Sequence, residues 1–385
     1  MTSLSITQAR KLALLSQGLP AKSLSGKGYS KSLGVFERLG YVQIDTISVV
    51  QRAHHHTLWN RNPSYQPEHL DRLVAEKKVF EYWSHAAAYL PMSDYRFSLP
   101  RKEAIRSNEQ SHWYTKDHKL MKEVLKRIKD DGPLMAKDFD SKITKTNGWG
   151  SKPTKRALET LYMQGELMIP ERKNFHKVYD LTERVLPNGL DVSLPSEQEH
   201  GKFLVLRYLR AHGFGKLSEI TYLLKGLKTQ VSQTINELCE SGEIEKVVIS
   251  GNEYFACCDV FSLLNKRLSK TKAKILSPFD NLLIQRKRAS SIFDFDYLIE
   301  CYVPEQKRIF GYFCLPILWG GELVARADCK VDKKTSTLNV IHLAVEPSVR
   351  NQEMFLSALE EELNAFSKFN QCEQFNIEKI TIRQS

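Results

Sequence analysis

Apolar positions at helical spacing, followed by a glycine and a short β-prone run, recur three times along the chain. Glycine directly after a helix is the expected left-handed C-cap, because it adopts positive φ without a steric cost. The pattern therefore predicts, in three places, a helix that ends at a glycine and leads into a strand. The three segments are Leu161-x-x-x-Gly165-Glu-Leu167, Leu238-x-x-x-Gly242-Glu-Ile244 and, more loosely, Phe36-x-x-x-Gly40-Tyr-Val42.

After two of these glycines, two β-prone runs separated by a polar turn predict a β-hairpin. Two further helical stretches precede each of these segments, so the predicted order is helix, helix, helix, hairpin. This is the order of a winged helix-turn-helix. An unrelated set of helical hairpins is the alternative interpretation. The predicted helices lie at 120–129, near Ala136, at 203–211 and at 217–224, and the hairpin strands at 167–170, 178–181, 244–249 and 253–257.

Beyond Phe261 the pattern changes to short strand-like runs at 292–301, 308–315, 322–330 and 337–344, before a helical stripe over 351–366. Consecutive strands without intervening helices predict an antiparallel sheet or a small barrel. The predicted fold class is α+β, with three tandem winged helix-turn-helix units and a C-terminal antiparallel β-rich, barrel-like unit. The predicted unit boundaries are 1–115, 116–195, 196–260 and 261–385.

The composition indicates a globular protein, and the net charge indicates the kind of partner it favours. Of the 385 residues, 42% are hydrophobic and 26% charged, which excludes wholesale disorder. The formal net charge of +11 favours a polyanionic partner, although a solvated basic surface would give the same excess. The basic residues are concentrated in the middle of the chain, with 18 Lys/Arg against 11 Asp/Glu over 101–177 and 8 against 1 over 265–290.

Cysteine spacing and hydropathy exclude several other classes. All seven cysteines lie in the second half of the chain without a Cys-x-x-Cys pair, unlike a zinc ribbon, an iron–sulfur cluster or a disulfide framework. The longest apolar stretch, 309–325, is interrupted by Pro316 and two glycines and is too short to span a bilayer. We therefore expect a cytoplasmic protein that needs no metal or cofactor, and a monomer, since no heptad repeat demands a dimer.

The segment Gly40-Tyr-Val-Gln43-Ile44-Asp45 contains the first candidate for chemistry. In a strand with Ile44 facing the core, Gln43 and Asp45 share the opposite face. An amide and a carboxylate about 7 Å apart on one face can hold a water, which the amide orients and the carboxylate deprotonates. The alternative is a half-exposed strand whose outward residues are merely polar.

Histidines and cations supply further candidates. His54-His55-His56 cannot all face one metal from a regular element, so we interpret the stretch that contains His54 and Arg61 as a polar loop near an anionic ligand. Glu81 and His85 are equally compatible with a buried structural pair and with catalytic groups. The predicted start of the third helix and the hairpin tip of the second unit suit phosphate and groove contacts, through Ser151, Lys152, Thr154, Lys155, Arg156, Arg172, Lys173, His176 and Lys177.

Together with several flanking stretches, Gln43-Ile44-Asp45 resembles the Gln-Φ-Asp signature of the YcaQ-like DNA glycosylases, relatives of the AlkZ glycosylases that carry Gln-Φ-Gln. The flanking stretches are Phe80-Glu-Tyr-Trp-Ser-His85, Trp149-Gly150 with Thr154-Lys-Arg-Ala-Leu-Glu159, Tyr179-Asp-Leu-Thr-Glu-Arg-Val-Leu-Pro187, Leu276-Ser-Pro-Phe-Asp280 with Arg286-Lys-Arg288, and Gly311-Tyr-Phe-Cys-Leu-Pro-Ile-Leu318. The resemblance implies three winged-helix units and a β-rich unit arranged around DNA. It also implies removal of 7-alkylated guanines and unhooking of interstrand crosslinks.

Under this interpretation Asp45 and Gln43 are the catalytic residues and the partner is duplex DNA with an alkylated or crosslinked guanine. The protein is then expected to be nucleoid-associated. Hydrolysis of an already cationic base needs no lysine nucleophile, so we expect a monofunctional enzyme that leaves an abasic site. A winged-helix transcriptional regulator without enzymatic activity is the alternative, since DNA binding alone is the commonest use of winged helices.

Overall fold

The computed structural model describes residues 2–19, 26–111, 114–139 and 153–383. They fall into two compact units, of which the first contains Met1–Gln66 and Gly201–Ser385 and the second contains Pro67–His200. The first stretch predicted as one unit, 1–115, thus contributes residues to both. The division into four units remains a prediction.

Helices and strands both occur in each unit. The helices are α1 (Ile6–Ser16), α2 (Gly28–Leu39), α3 (Ala53–Arg61), α4 (Pro67–Ala75), α5 (Leu99–Arg106), α6 (His118–Asp131), α7 (Pro153–Met163), α8 (Thr182–Val185), α9 (Glu197–His212), α10 (Leu217–Ile220), α11 (Lys228–Glu240), α12 (Arg286–Phe293) and α13 (Gln352–Phe369). The strands are β1 (Thr2–Leu4), β2 (Val42–Gln43), β3 (Val79–Trp83), β4 (Ala87–Pro91), β5 (Leu134–Met135), β6 (Leu167–Lys173), β7 (His176–Leu181), β8 (Ile244–Ile249), β9 (Asn252–Cys257), β10 (Lys274–Ile275), β11 (Cys314–Trp319), β12 (Glu322–Asp332), β13 (Thr337–Val345), β14 (Gln374–Ile377) and β15 (Ile380–Ile382). In the ranges that the structure describes, no helix has the length and hydropathy of a membrane span.

The repeated glycines end their helices as predicted. Gly40, Gly165 and Gly242 have φ values of +82°, +89° and +74°, the left-handed region that a side chain disfavours. Each lies between a helix and a strand, and both predicted hairpins are present as the antiparallel pairs β6–β7 and β8–β9. The element order before β8, namely α9, α10 and α11, is the predicted one. The number of winged-helix units stays a prediction.

The C-terminal sheet corrects the predicted barrel. Its strand order is β10-β11-β12-β13-β14, with β15 also paired to β13, and this path does not close on itself within the described residues. The pairs from β10 to β13 are antiparallel, as predicted, but β14 and β15 run parallel to β13. The parallel pairing arises because α13 returns the chain to the other end of the sheet before β14 begins. The helix predicted at 351–366 is therefore what makes the sheet mixed.

The strand predicted at 292–301 is also wrong, although its alternation is real. Helix α12 ends at Phe293 and Asp294 takes a left-handed φ of +52°. The chain then runs extended, with Phe295 and Tyr297 buried and Asp296 and Leu298 exposed. An extended segment over a core alternates in burial like a strand, but this one lies outside the sheet.

Each unit has its own apolar core. In the second unit, Ile128 of α6 and Leu158 and Leu161 of α7 pack with Leu167 and Tyr179 of the β6–β7 hairpin. In the first unit, a larger cluster joins α1, the β8–β9 hairpin, α12 and the C-terminal sheet. These cores fix the hairpins and the sheet that support the polar residues described below.

The core of the second unit also encloses a lysine. The Lys102 side chain is 3% exposed, and its ammonium lies 3.9 Å from the centroid of the Tyr95 ring and 4.6 Å from that of Tyr82. Burial, followed by the charge of Arg106, lowers the pKa of Lys102 from 10.5 to about 7. The ring faces offset only part of the cost of removing an ammonium from water.

We expect Lys102→Met to change how stability depends on pH. In the wild type, folding releases the Lys102 proton between pH 7 and 10.5, so this group adds stability as the pH rises, by about 1.4 kcal/mol per pH unit. The variant lacks that increment. Urea unfolding of both proteins at pH 7 and pH 9 measures it, with the exposed Lys119→Met as control. Parallel pH profiles for wild type and K102M would show that Lys102 remains protonated in the folded protein.

Candidate active site

Gln43 and Asp45 lie directly after the left-handed Gly40 that ends α2. Strand β2 stops at Gln43, so Asp45 lies in the following loop rather than continuing a strand as expected. Burial still alternates through this turn, because Val42 and Ile44 are buried whereas Gln43 and Asp45 are half-buried. The apolar residues anchor the segment to the core and leave the amide and the carboxylate at the surface.

The Asp45 carboxylate is held by the backbone that follows it. The Ile47 N–H donates a 2.7 Å hydrogen bond to Asp45 Oδ1 and fixes the orientation of the carboxylate. Partial burial raises the pKa of Asp45 above its ordinary value, and the Ile47 hydrogen bond opposes that shift. Desolvation is the largest cause that raises the pKa values of Cys301 and Tyr302, and the negative charge of Asp45 is the second. Asp45 therefore shares its environment with the segment around Tyr302.

This neighbouring segment, 298–313, is held in place by two buried carboxylates. The Glu300 carboxylate accepts hydrogen bonds from the N–H groups of Ile309, Phe310 and Gly311 at 2.8–3.1 Å. The Asp328 carboxylate accepts from the N–H groups of the next two residues, Tyr312 and Phe313, at 3.0 and 2.8 Å. Five consecutive amides are thus fixed, and the segment displays the exposed side chains of Leu298, Tyr302, Ile309 and Tyr312.

Gly311 is the position in this segment that admits no side chain. Its φ is +146°, and a Cβ built on it would lie 2.1 Å from Asp328 Oδ2. Only glycine lets the backbone come close enough to Asp328 for the amides on either side to bind both carboxylates. In the sequence, Gly311-Tyr-Phe stands out only as part of a resemblance. Glu300, Tyr302 and Asp328 were missed, because their roles depend on contacts that only the folded chain forms.

Two of the expected anion contacts are buried instead. Arg61 is 0% exposed and its guanidinium forks onto Asp280 through Nη1 at 2.6 Å and Nη2 at 2.9 Å. Its Nε donates to the Gln17 carbonyl oxygen at 2.6 Å. His54 lies on the same helix, α3, and is also buried. Both side chains are therefore buried in this structure, and the expected contact of Arg61 and His54 with an anionic ligand remains a prediction.

The first turn of α7 carries three of the residues predicted to contact phosphate, and those contacts remain predictions. Helix α7 begins at Pro153, with Thr154 half-buried and Lys155 and Arg156 exposed on its first turn. Free N–H groups and the helix dipole favour an anion at such an N-terminus. Ser151 and Lys152, the other two residues predicted for this site, lie outside the described residues.

The four residues predicted to contact DNA from the tip of the β6–β7 hairpin differ in exposure and fall into two pairs. The exposed pair is Lys173 and His176. Arg172 and Lys177 are instead turned inward onto the carboxylates of Glu81 and Glu159. Arg172 and Lys177 are thus engaged within the unit, and their expected contacts with DNA remain predictions. Glu81, for which the sequence left open a buried structural pair with His85 or a catalytic role, binds Arg172.

Comparison with known proteins defines the class. The family model described as "DNA glycosylase AlkZ-like" matches residues 36–369, most of the chain. A solved structure, the Streptomyces sahachiroi DNA glycosylase AlkZ, has the same fold, with a TM-score of 0.66 over 100% of both chains at 16% sequence identity. The protein therefore has the role of a DNA glycosylase. It belongs to the AlkZ-like DNA glycosylase family, as the resemblance of its motifs predicted.

Proposed function

We propose that the protein hydrolyses the N-glycosidic bond of 7-alkylated guanines in duplex DNA and unhooks interstrand crosslinks at that ring nitrogen. The observation that carries the proposal is the setting of Asp45. Its half-buried carboxylate is oriented by the Ile47 amide, two residues after Gln43 and beside an exposed, fixed segment that contains Tyr302. An oriented carboxylate at the surface, rather than in a closed cavity, suits a substrate as large as a duplex.

The chemistry follows from the charge of the substrate. Alkylation at position seven makes the guanine cationic, so the leaving group needs no proton from the enzyme. The remaining task is to place a water below the anomeric carbon and to stabilise the oxocarbenium-like transition state. In this proposal Gln43 orients the water and Asp45 accepts its proton and provides the negative charge. Because Asp45 acts ionised and burial raises its pKa, activity falls on acidification at a higher pH than for an exposed carboxylate.

An open site also fits a crosslinked base. Such a base remains tied to the opposite strand and cannot rotate freely into a deep pocket. The exposed ring of Tyr302, which feels the charge of Asp45, and that of Tyr312 in the same segment offer surfaces on which bases can stack without leaving the duplex. Relatives with the Gln-Φ-Gln signature have a second glutamine where this chain has Asp45. Asp45 adds a negative charge beside the cationic lesion, so this difference bears on substrate range.

We expect Lys155→Ala to weaken DNA binding and flatten its salt dependence. If Lys155 contacts one phosphate at the start of α7, removing it lowers the slope of log Kd against log salt by about 0.9. Fluorescence anisotropy at several salt concentrations measures the slope. Lys368→Ala, an exposed helical lysine in the acidic C-terminal region, is the charge-matched control and should leave the slope unchanged. Equal slopes for wild type and K155A would exclude Lys155 from the interface.

An assay on duplex DNA that contains 7-methylguanine tests the proposed activity against the alternative of a DNA-binding regulator. Alkaline cleavage reveals abasic sites, and a parallel gel shift reports binding. We expect both cleavage and binding. A denaturing gel of a crosslinked duplex then tests unhooking, which should separate the two strands. Protein that binds these DNAs but never releases a base would favour the regulator.

A further inference from the structure

The turn of the β6–β7 hairpin contains a phenylalanine, Phe175, at a position with positive φ, which a bulky side chain disfavours. Lys173 and His176 are paired across the hairpin, and the two residues between them, Asn174 and Phe175, have φ values of +50° and +67°. Two consecutive residues with positive φ form the tight type of hairpin turn for which asparagine followed by glycine is preferred. Phenylalanine at the second position is strained, so its presence requires an explanation beyond the fold.

Arg172 holds Phe175 in this conformation. Its Nη1 donates a 2.7 Å hydrogen bond to the Phe175 carbonyl oxygen, and its guanidinium carbon lies 4.6 Å from the centroid of the Phe175 ring. Its Nε and Nη2 each donate a 2.7 Å hydrogen bond to Glu81, whose side chain is 1% exposed. Arg172 thus connects the tip of the hairpin to a carboxylate in the core of the same unit.

A second ion pair holds Lys177, which lies opposite Arg172 on the other strand of the hairpin. The Lys177 ammonium lies 3.0 and 3.1 Å from the two Glu159 oxygens and 4.5 Å from the centroid of the Tyr162 ring. Glu159 also accepts a 2.8 Å hydrogen bond from the Tyr179 hydroxyl. Both inward cations are therefore engaged with carboxylates. The cation exposed at the tip is Lys173, which is 57% exposed, lies 3.1 Å from the exposed Glu171 carboxylate and stands beside His176.

We propose that Phe175 is a wedge that this hairpin inserts into a groove of duplex DNA, and that Arg172 and Glu81 position it. Apolar side chains on DNA-bound hairpins act by entering between base steps and partly unstacking them, while neighbouring cations contact phosphates. The tip has this composition, a rigidly held ring flanked by Lys173. The inference rests on the proposed function only in taking duplex DNA as substrate, and it assigns Arg172 a positioning role instead of a phosphate contact.

Phe175→Gly tests the wedge without endangering the fold, because glycine is the residue that the turn geometry prefers. The probe is a lesion-containing duplex with 2-aminopurine at successive positions around the lesion, whose fluorescence rises when a base unstacks. With wild-type protein, binding should raise fluorescence at one position. With F175G we expect that rise to disappear and affinity to fall roughly tenfold, with an unchanged salt slope and an unchanged thermal midpoint.

Two further variants separate positioning from charge. Arg172→Lys keeps the positive charge, but a lysine ammonium cannot make the two hydrogen bonds to Glu81 and also bind the Phe175 carbonyl oxygen. This variant should therefore lose the fluorescence rise with little change in salt slope. Lys173→Ala should keep the rise and lower the salt slope. Two outcomes would overturn the wedge: a full fluorescence rise with F175G, or the absence of a fluorescence rise at every position with the wild-type protein. Base release is measured separately, so a wild type that unstacks DNA through Phe175 yet releases no base would contradict the proposed activity alone.

Discussion

Asp45→Asn should abolish base release while leaving DNA affinity nearly unchanged. Asparagine keeps the size of the side chain and an oxygen that can accept the Ile47 hydrogen bond, but it removes the negative charge and the proton acceptor. Loss of a general base alone lowers rates by about 10²–10⁴-fold, and loss of charge stabilisation lowers them further. Single-turnover release of 7-methylguanine gives the rate, and anisotropy gives the affinity.

The control for this change is Asp130→Asn on the exposed face of α6, which should retain both rate and affinity. The wild-type rate should rise with pH through the raised pKa of Asp45, and any residual rate of D45N should lack that dependence. Equal losses of turnover and of binding in D45N would instead give Asp45 a structural role.

Arg61→Met should strongly destabilise the protein, because it leaves Asp280 buried without its partner. Both side chains are 0% exposed, and breaking one side of such a pair costs about 3–5 kcal/mol. Arg61→Met combined with Asp280→Asn should recover part of that loss, since no buried charge remains. Urea unfolding measures all three proteins.

Arg127→Met is the matched control, because Arg127 pairs with Asp131 at the surface and such pairs contribute about 0–1 kcal/mol. A loss below about 1 kcal/mol for R61M would show that the buried pair is not needed for stability. A large loss of DNA affinity in folded R61M, without loss of stability, would restore the role first inferred for Arg61 from the sequence.

Local features of the fold could be predicted from the sequence because their causes are local. The left-handed Gly165 and Gly242, the β6–β7 and β8–β9 hairpins and helix α13 each depend on residues a few positions apart. The alternation that identified Gln43 and Asp45 is also local, and their partial exposure is confirmed. Their catalytic roles remain predictions.

The contacts that could not be predicted have the opposite origin, in partners that are distant in sequence. Asp280, 219 residues from Arg61, turns that arginine into a core residue. Glu81, 91 residues from Arg172, does the same for a cation at a hairpin tip. In each case the cation alone is typical of a DNA contact, and only the folded chain brings in the carboxylate that neutralises it. The expectation of a purely antiparallel sheet failed for a related reason, since the path of the chain through α13 decides whether β14 pairs parallel or antiparallel.

The most direct test of the glycosylase mechanism is the identity of its products. Excess wild-type protein is incubated with a duplex that carries one 7-methylguanine, and the mixture is analysed by mass spectrometry with and without borohydride. We predict free 7-methylguanine, an unbroken strand with one abasic site, and no covalent protein–DNA adduct trapped by borohydride. An intact lesion on fully bound DNA, or a borohydride-trapped adduct, would contradict water activation by Gln43 and Asp45.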